Sequence, residues 1–241
     1  GTANVALGFE SLMTEDGNGE STAIGYRALT AQDGADNNLA IGFDAGLSIS
    51  TGGLNSFVGS YSGSTMTLGT ANVALGYATL NGDVRGSRST AVGYGALQVQ
   101  SFSTATDTNN SAFGYKAGRD ITTGIYNTFI GASAGENLTD ADQNVAVGFN
   151  ALTTDTQGSK STAVGYQALT TQNFTSATDS HNTAVGYNAG ASVTTGTSNI
   201  FIGSFCADSV TVGNSNVAVG DVSLTAETKG DRNVAIGYNT L

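Results

Sequence analysis

The sequence predicts an all-β protein, a parallel β-solenoid (β-roll) of about 14 coils with a repeat of about 17 residues. Three observations lead to this prediction. One short motif recurs fourteen times, its copies are almost evenly spaced, and its residues alternate in character as they do in a β-strand.

The repeated motif is Asn/Ser-x-Ala/Phe-(Val/Ile/Leu/Phe)-Gly-(Tyr/Phe), and we number each coil from its first residue. Segment 1–8 even recurs unchanged as segment 69–76. Successive coil starts are offset by 17 in the sequence, and at two places by 21. The starts are Asn4, Ser21, Asn38, Asn55, Asn72, Ser89, Asn110, Asn127, Asn144, Ser161, Asn182, Asn199, Asn216 and Asn233. No stretch is left over, so residues 1–241 are predicted to be a single repeat domain.

The motif itself is predicted to form a strand. In Asn144–Phe149, the apolar residues Val145, Val147 and Phe149 alternate with small or polar ones. The rest of each coil is rich in turn-forming Thr, Ser, Asn, Asp and Gly. Some coils also carry one apolar residue there, which predicts a second short strand. These residues are Ile49, Met66, Ile121, Leu138, Val193 and Val210.

A longer period of four coils is superimposed on the short one, with a sequence offset of 68, or of 72 where it includes a longer coil. The ninth coil position runs Leu, Leu, Gly, Gly through the quartets, with Ala207 in place of one Gly. Every fourth coil has Phe instead of Ala at its third position, and lacks the aromatic residue at its sixth. Examples are Phe57 and Ser60. We expect the ring gained to be offset by the ring lost, since interiors are close-packed.

A single coil of this length cannot enclose a core alone, so the coils are expected to stack and share a hydrogen-bonded ladder. The chain has no Pro, which suits interior strands that need every N–H group. The Asn residues at the coil starts are expected to form an amide ladder. The core of such a coil is thin, and lateral association of several chains would bury more apolar surface.

Segments such as Asn182–Gly190 and Ser161–Leu169 resemble the head repeats of trimeric autotransporter adhesins. They are also similar to shaft repeats of phage tail fibres and of surface proteins that end in a self-cleaving chaperone. The resemblance covers essentially the whole chain and implies a homotrimer of left-handed β-rolls. The chain departs from the adhesin heads in its longer coil and its four-coil period. Residues 1–3 and Leu241 are expected to belong to incomplete coils of a longer fibre.

Composition excludes several classes of function. The net charge is −11, and the eight Lys and Arg residues are scattered, which argues against nucleic-acid binding. One Cys and one His leave little for a disulfide, a thiolate metal site or His-based catalysis. No apolar run approaches the length of a membrane span.

Three local motifs have simple explanations. His181 follows Asp179 and Ser180, but a catalytic triad requires convergence in space, not adjacency in sequence. Segment 158–162 lacks the upstream Gly of a phosphate-binding loop. The acidic turns 16–20 and 140–144 lack the later bidentate Glu of a calcium loop. We therefore expect no catalytic residues and no cofactor, with structural calcium a remote alternative.

Two similar insertions, 98–109 and 170–181, are the best candidates for contacts with a partner. Each lengthens one coil and is expected to bulge outward, as binding loops do on rigid scaffolds. The alternative is that they fold over the roll or against a neighbouring chain. The candidate contact residues are Phe102, Thr104, Asp107, Phe174, Thr175, Asp179 and His181.

The sequence thus predicts a non-enzymatic adhesive fibre segment, extracellular on a cell surface or virion, that binds a cell-surface glycan or receptor. One alternative is a self-associating filament or spacer without a ligand, and another is an ice-binding solenoid. The row of aromatic residues at the sixth coil position, including Tyr77 and Tyr94, could bind sugars, but core or inter-chain packing is favoured.

Overall fold

The computed structural model describes residues 3–17 and 19–241 and contains no helix in those ranges. It is an all-β parallel β-solenoid of about 14 turns, and consecutive turns of the usual length are offset by 17 in the sequence, as predicted. The turns fall into two compact units, Gly1–Ile125 and Tyr126–Leu241. Among the described residues, each unit carries seven strands of the main sheet.

The described part of the first unit contains nine strands, all paired in parallel. The main-sheet strands are β1 (Val5–Leu7), β2 (Thr22–Ile24), β3 (Leu39–Ile41), β4 (Ser56–Val58), β5 (Val73–Leu75), β7 (Thr90–Val92) and β9 (Ser111–Phe113). A separate two-stranded sheet joins β6 (Gly86–Ser87) to β8 (Thr106–Asp107).

The second unit has the same organisation. Its main-sheet strands are β10 (Thr128–Ile130), β11 (Val145–Val147), β13 (Thr162–Val164), β15 (Thr183–Val185), β16 (Ile200–Ile202), β17 (Val217–Val219) and β18 (Val234–Ile236). Its second sheet joins β12 (Gly158–Ser159) to β14 (Thr178–Asp179).

Strand register follows the sequence repeat closely. Ala23 pairs with Ala40, one coil later. Across the first insertion Ala91 pairs with Ala112, so the same coil position is kept although the coil is longer. The same holds across the second insertion, where Ala163 pairs with Ala184, so both insertions lengthen a coil without changing the register.

The core inside each coil is lined by the third coil position, which is Ala in most coils and Phe in every fourth, and not by the apolar residues on either side of it. In β5, Ala74 is fully buried, whereas Val73 and Leu75 are 42% and 46% exposed. The same alternation holds in β16, where Phe201 is buried between two exposed Ile residues. Such a short coil is too thin to hold two rows of large side chains, so these point outward.

The predicted second strand is wrong, although its residues are buried. Ile49 and Met66 are fully buried, but neither lies in a strand. Their N–H groups donate to the carbonyl oxygens of Gly46 and Gly63, three positions earlier in the same coil. These N–H groups close turns, and therefore do not enter a ladder between coils.

The four-coil period reflects packing around one buried ring, that of Phe57. The expectation that the ring gained at the third coil position offsets the ring lost at the sixth is wrong. A Cβ atom at Gly46 would lie 2.9 Å from the ring of Phe57, and one at Gly63 would lie 2.6 Å from it. The two Gly residues of the quartet therefore make room for the buried Phe. Ser60 is only half-buried, and its neighbour Tyr61 supplies an exposed ring instead.

The Asn residues at the coil starts form the expected amide ladder. Asn55 Oδ1 accepts hydrogen bonds from the backbone N–H (3.0 Å) and Nδ2 (3.1 Å) of Asn72 in the next coil. Asn72 Nδ2 also donates to the carbonyl oxygen of Gly86 (2.9 Å). Both Asn side chains are fully buried. The ladder thus satisfies polar groups that the thin core cannot expose to water.

Candidate interaction surface

One row of residues on the outer face of the main sheet is apolar in every coil. The fourth coil position, which alternates with the buried third, is apolar in all fourteen copies. These residues are Leu7, Ile24, Ile41, Val58, Leu75, Val92, Phe113, Ile130, Val147, Val164, Val185, Ile202, Val219 and Ile236. We call them the outer row, and its exposed members include Leu75 (46%) and Ile202 (41%). The second coil position, on the same face, is Thr or Ser in seven coils, whereas the outer row excludes polar residues throughout.

A column of aromatic rings runs beside the outer row. In the first unit it comprises Phe9, Tyr26, Phe43, Tyr61, Tyr77, Tyr94 and Tyr115, with successive ring centroids 5.1–5.8 Å apart. In the second it comprises Phe149, Tyr166, Tyr187 and Phe205, 5.0–5.4 Å apart. Since all of these rings except Tyr61 and Phe205 occupy the sixth coil position, the column follows directly from the repeat.

The aromatic column presents ring edges, not ring faces. Tyr77 and Tyr94 stack at an interplanar angle of 11°, and Tyr166 and Tyr187 at 7°. The stacked neighbours cover the faces, so sugars have no open ring face to stack on at these positions. Tyr94 is nevertheless 50% exposed, which rules out the intramolecular core as its place. The column is therefore a half-exposed stack of ring edges and not part of the core.

Both insertions bury their aromatic residue. Phe102 is 6% exposed and Phe174 is 5% exposed. A Cβ atom at Gly158 would lie 2.8 Å from the Phe174 ring, so the ring packs against the roll. The backbone N–H of Phe174 also donates to Asp155 Oδ1 (3.0 Å). Phe102 and Phe174 are therefore unsuited to surface contacts. They pack against the roll, in line with the alternative that the insertions fold over it.

The remaining candidate residues lie at the surface. Thr104, Asp107, Thr175, Asp179 and His181 are all exposed. Segments 103–105 and 175–177 form the exposed tips, composed of Ser, Thr and Ala. The structure thus leaves two small hydroxyl-bearing tips as available contact sites.

The two exposed acids of the insertions are held in ion pairs. Asp107 Oδ2 lies 2.7 Å from a guanidinium nitrogen of Arg88, and Asp179 pairs with Lys160. The hydrogen bond from Lys160 holds the pKa of Asp179 below its ordinary value. These pairs link each insertion to the preceding coil.

The sequence neighbours of His181 do not assemble a catalytic group. Ser180 is buried, and its Oγ donates to the carbonyl oxygen of Ser159 (2.9 Å). Asp179 faces Lys160, whereas His181 is exposed with a φ of +52°. The three side chains therefore have separate structural surroundings.

The other motifs take up structural positions. Gly158 and Ser159 form strand β12 in the motif that resembled a phosphate loop. In segment 16–20, Asn18 lies outside the described residues, whereas Gly17 N–H donates to Glu15 Oε1 (3.1 Å). Across residues 3–17 and 19–241, no group of three or more His, Cys, Asp or Glu side chains could hold a metal ion. Cys206 is buried, and burial raises the pKa of its thiol to about 11.

Several Thr hydroxyls are used between coils. Thr194 Oγ1 donates to the carbonyl oxygen of Thr211 (3.1 Å), and Thr211 Oγ1 donates to that of Thr228 (2.8 Å). Thr67 makes the same bond to Val84 (3.1 Å). Hydroxyls engaged in this way are not free to order surface water as an ice-binding array would require.

Comparison with protein-family models, with curated proteins and with solved structures finds no match to this chain. In the ranges that the structure covers, no helix is long and apolar enough to cross a membrane.

Proposed function

We propose that this chain is a non-enzymatic segment of a homotrimeric β-roll fibre, such as a phage tail fibre or bacterial surface adhesin, that attaches to a host or surface. The observation that carries the proposal is the outer row, which faces outward and is apolar in all fourteen coils. The proposed setting is extracellular, on a cell surface or virion.

A second copy of the chain is the natural partner for the outer row. The row repeats once per coil, so a matching partner needs the same axial spacing, and another copy has it. Burying the exposed part of residues such as Leu75 and Ile202 would stabilise the assembly by roughly 1 kcal/mol per side chain. Three copies around a common axis would cover the row and leave the insertions outside.

Attachment is assigned to the exposed tips, 103–105 and 175–177. Each tip offers only small side chains, so a single contact would be weak. A fibre that repeats the contact on three chains and in successive quartets would gain affinity through avidity. The chemistry of the tips suits hydrogen bonding to a glycan or a polar receptor surface.

One observation favours the alternative of a spacer without a ligand. Phe102 and Phe174, the largest side chains of the insertions, are used inside the roll. A spacer would need the insertions only to reinforce the coils. Binding of the wild-type protein to a glycan array, compared with a variant whose tip residues Thr104 and Thr175 are changed to Ala, separates the two functions.

The assembly is tested by light scattering and sedimentation at several concentrations. We expect a stable mass near three times 24.1 kDa, and we expect Leu75→Glu to reduce it. Thr51→Glu is the matched control, since Thr51 is exposed in a turn and is not part of the outer row. A monomeric wild type would disprove the trimer, and growth with concentration would indicate a filament.

A further inference from the structure

The aromatic column contains two runs in which phenol rings are neighbours of phenol rings. In the first unit four consecutive rings are tyrosines, namely Tyr61, Tyr77, Tyr94 and Tyr115. In the second unit the run is a single pair, Tyr166 and Tyr187. The other neighbouring pairs described in the column each include a Phe ring. We call these two stretches the tyrosine runs.

The best-aligned pair of the first run is Tyr77 and Tyr94. Their ring centroids lie 5.2 Å apart at an interplanar angle of 11°. The backbone beside them is fixed, because the carbonyl oxygen of Tyr77 accepts a hydrogen bond from the N–H group of Gly95 in the next coil (2.9 Å). The second run has the same anchor, from the N–H group of Asn188 to the carbonyl oxygen of Tyr166 (2.9 Å). Each ring therefore keeps the same neighbour as long as the coils stay stacked.

The tyrosine rings are also accessible to reagents in solution. All nine Tyr side chains are exposed, and those of Tyr77 and Tyr94 are about half open to solvent. The chain has no Trp, and its one thiol, that of Cys206, is fully buried. Met13 is exposed, but a thioether reacts by taking up oxygen to form a sulfoxide. Phenols are therefore the groups that an oxidant removing single electrons meets first at this surface.

We propose that the tyrosine runs are sites of oxidative cross-linking, at which neighbouring rings of successive coils couple to dityrosine. The oxidant is a haem peroxidase that uses hydrogen peroxide. The principal links join Tyr77 to Tyr94 and Tyr166 to Tyr187. Each link connects two coils of the same chain, so it does not depend on the number of chains in the assembly.

The reaction uses no protein group other than the two phenols. Each phenol gives one electron and its hydroxyl proton to the oxidant and becomes a phenoxyl radical. A carbon–carbon bond forms between the ring carbons ortho to the two oxygens, and each ortho hydrogen leaves its carbon for the oxygen of its own ring. The two phenols thereby lose two hydrogen atoms in total, and one molecule of hydrogen peroxide becomes two molecules of water.

Proximity favours coupling within a run over coupling between chains. Two reactive groups held side by side in one molecule meet at an effective concentration far above that of a dissolved protein. The rings are stacked at rest, so they must tilt edge to edge in order to join. Because about half of each side chain is open to solvent, the rings have room to turn on the solvent side.

Tyr26 is a control that the sequence itself supplies. It occupies the same coil position as Tyr77 and is exposed, but its stacked neighbours are Phe9 and Phe43, at 5.3 and 5.1 Å. A phenoxyl radical at Tyr26 has no phenol beside it in the column. We therefore expect no link within the chain at this residue.

The experiment treats the full chain with a haem peroxidase and hydrogen peroxide, and then isolates chains of monomeric mass under denaturing conditions. Trypsin, which cleaves after Lys and Arg, leaves Tyr77 in peptide 28–85 and Tyr94 in peptide 89–116. A link between them joins the two peptides, with a mass lower than their sum by two hydrogen atoms. We expect this joined peptide, the loss of two hydrogen atoms from peptide 161–229, and dityrosine fluorescence.

Tyr94→Phe keeps the ring and removes the phenol, and Phe already occupies this coil position in coils such as that of Phe43. The joined peptide should be lost in this variant, because Tyr77 and Tyr115 lie two coils apart, whereas the link of the second run should remain. Tyr26→Phe is the matched control, at the same coil position but outside the tyrosine runs. It should leave both links unchanged.

Three results would overturn the proposal. One is a joined peptide that persists in Tyr94→Phe, since the link would then involve other rings. Another is dityrosine found only in covalent dimers of the chain, since neighbours within a run would then not be the partners. The third is the absence of dityrosine both with the peroxidase and with a photogenerated ruthenium(III) oxidant, which is small enough to reach any exposed ring edge.

Discussion

The ring of Phe57 lies directly over Gly63, where a Cβ atom would come within 2.6 Å of it. The two residues belong to the same coil and are both buried. Gly63 also has a φ of +59°, which an L side chain adopts only with strain. Their relationship explains why one coil in four carries Phe where the others carry Ala.

This contact predicts strong coupling between the two sites. Phe57→Ala should lower the free energy of unfolding by about 3–5 kcal/mol, because it leaves a cavity. Gly63→Ala should also destabilise the wild type, but less so in the Phe57→Ala background. A double-mutant cycle by denaturant unfolding measures the difference, and additive effects would contradict the proposed contact.

The Gly residue at the fifth coil position is predicted to be irreplaceable. A Cβ atom at Gly148 would lie 2.2 Å from the carbonyl oxygen of Gly165 in the next coil, and its φ is +133°. Gly148→Ala should therefore prevent normal stacking and lower Tm by more than about 10 °C, or about 3 kcal/mol or more.

Gly34→Ala is the matched control for this effect. Gly34 also has a positive φ, of +77°, but nothing lies within 4 Å of its Cβ position. We expect it to cost only about 1 kcal/mol, for backbone strain alone. Equal losses for the two variants would mean that φ, not the approach of the next coil, makes Gly necessary.

The ion pair between Lys160 and Asp179 should make the stability of the insertion depend on pH. Because the pKa of Asp179 is lowered in the folded state, its contribution is present above about pH 4 and is lost as the pH falls through the folded pKa. Both side chains are substantially exposed, so the contribution should be small and screened by salt.

The measurement is Tm of Asp179→Asn against wild type at low and high ionic strength. A small loss at neutral pH that disappears in high salt is expected. A large loss that persists in salt would mean that Asp179 holds the insertion in place through more than this pair.

Cys206 is predicted to be chemically inert in the folded protein. It is buried, its Sγ lies 3.3 Å from the carbonyl oxygen of Ala218, and burial raises the thiol pKa to about 11. The reactive thiolate is therefore scarce at neutral pH. A thiol reagent should label the protein only as fast as it unfolds, and rapid labelling in native buffer would contradict the structure.

Much of the fold could be predicted because the sequence repeats. The spacing of the Asn and Gly positions predicts parallel stacking in register, and Asn55 and Asn72 form the expected ladder. The prediction of a second short strand around residues such as Ile49 was wrong, because composition does not reveal which carbonyl oxygen a backbone N–H group donates to. Ile49 is apolar and buried in either case, but its N–H closes a turn with Gly46.

The candidate surfaces were harder to predict for a related reason. Alternation in a strand separates two faces but does not indicate which of them is inside. Val73 and Leu75 are the apolar residues of the alternation, yet Ala74 faces the core. The signal that could have identified the outer row is volume, since so short a coil can accommodate a row of Ala but not a row of Val and Leu.

The sequence alone determined the all-β class, the coil length, the register and the amide ladder, because each depends on residues that recur at a fixed spacing. Only the tertiary structure decided which face is exposed, that Phe102 and Phe174 are buried, and that the buried Asp83 and Asp155 accept hydrogen bonds from Gln side chains of the next coil. These features depend on how side chains from neighbouring coils share a small interior, and the pattern within one coil does not contain that information.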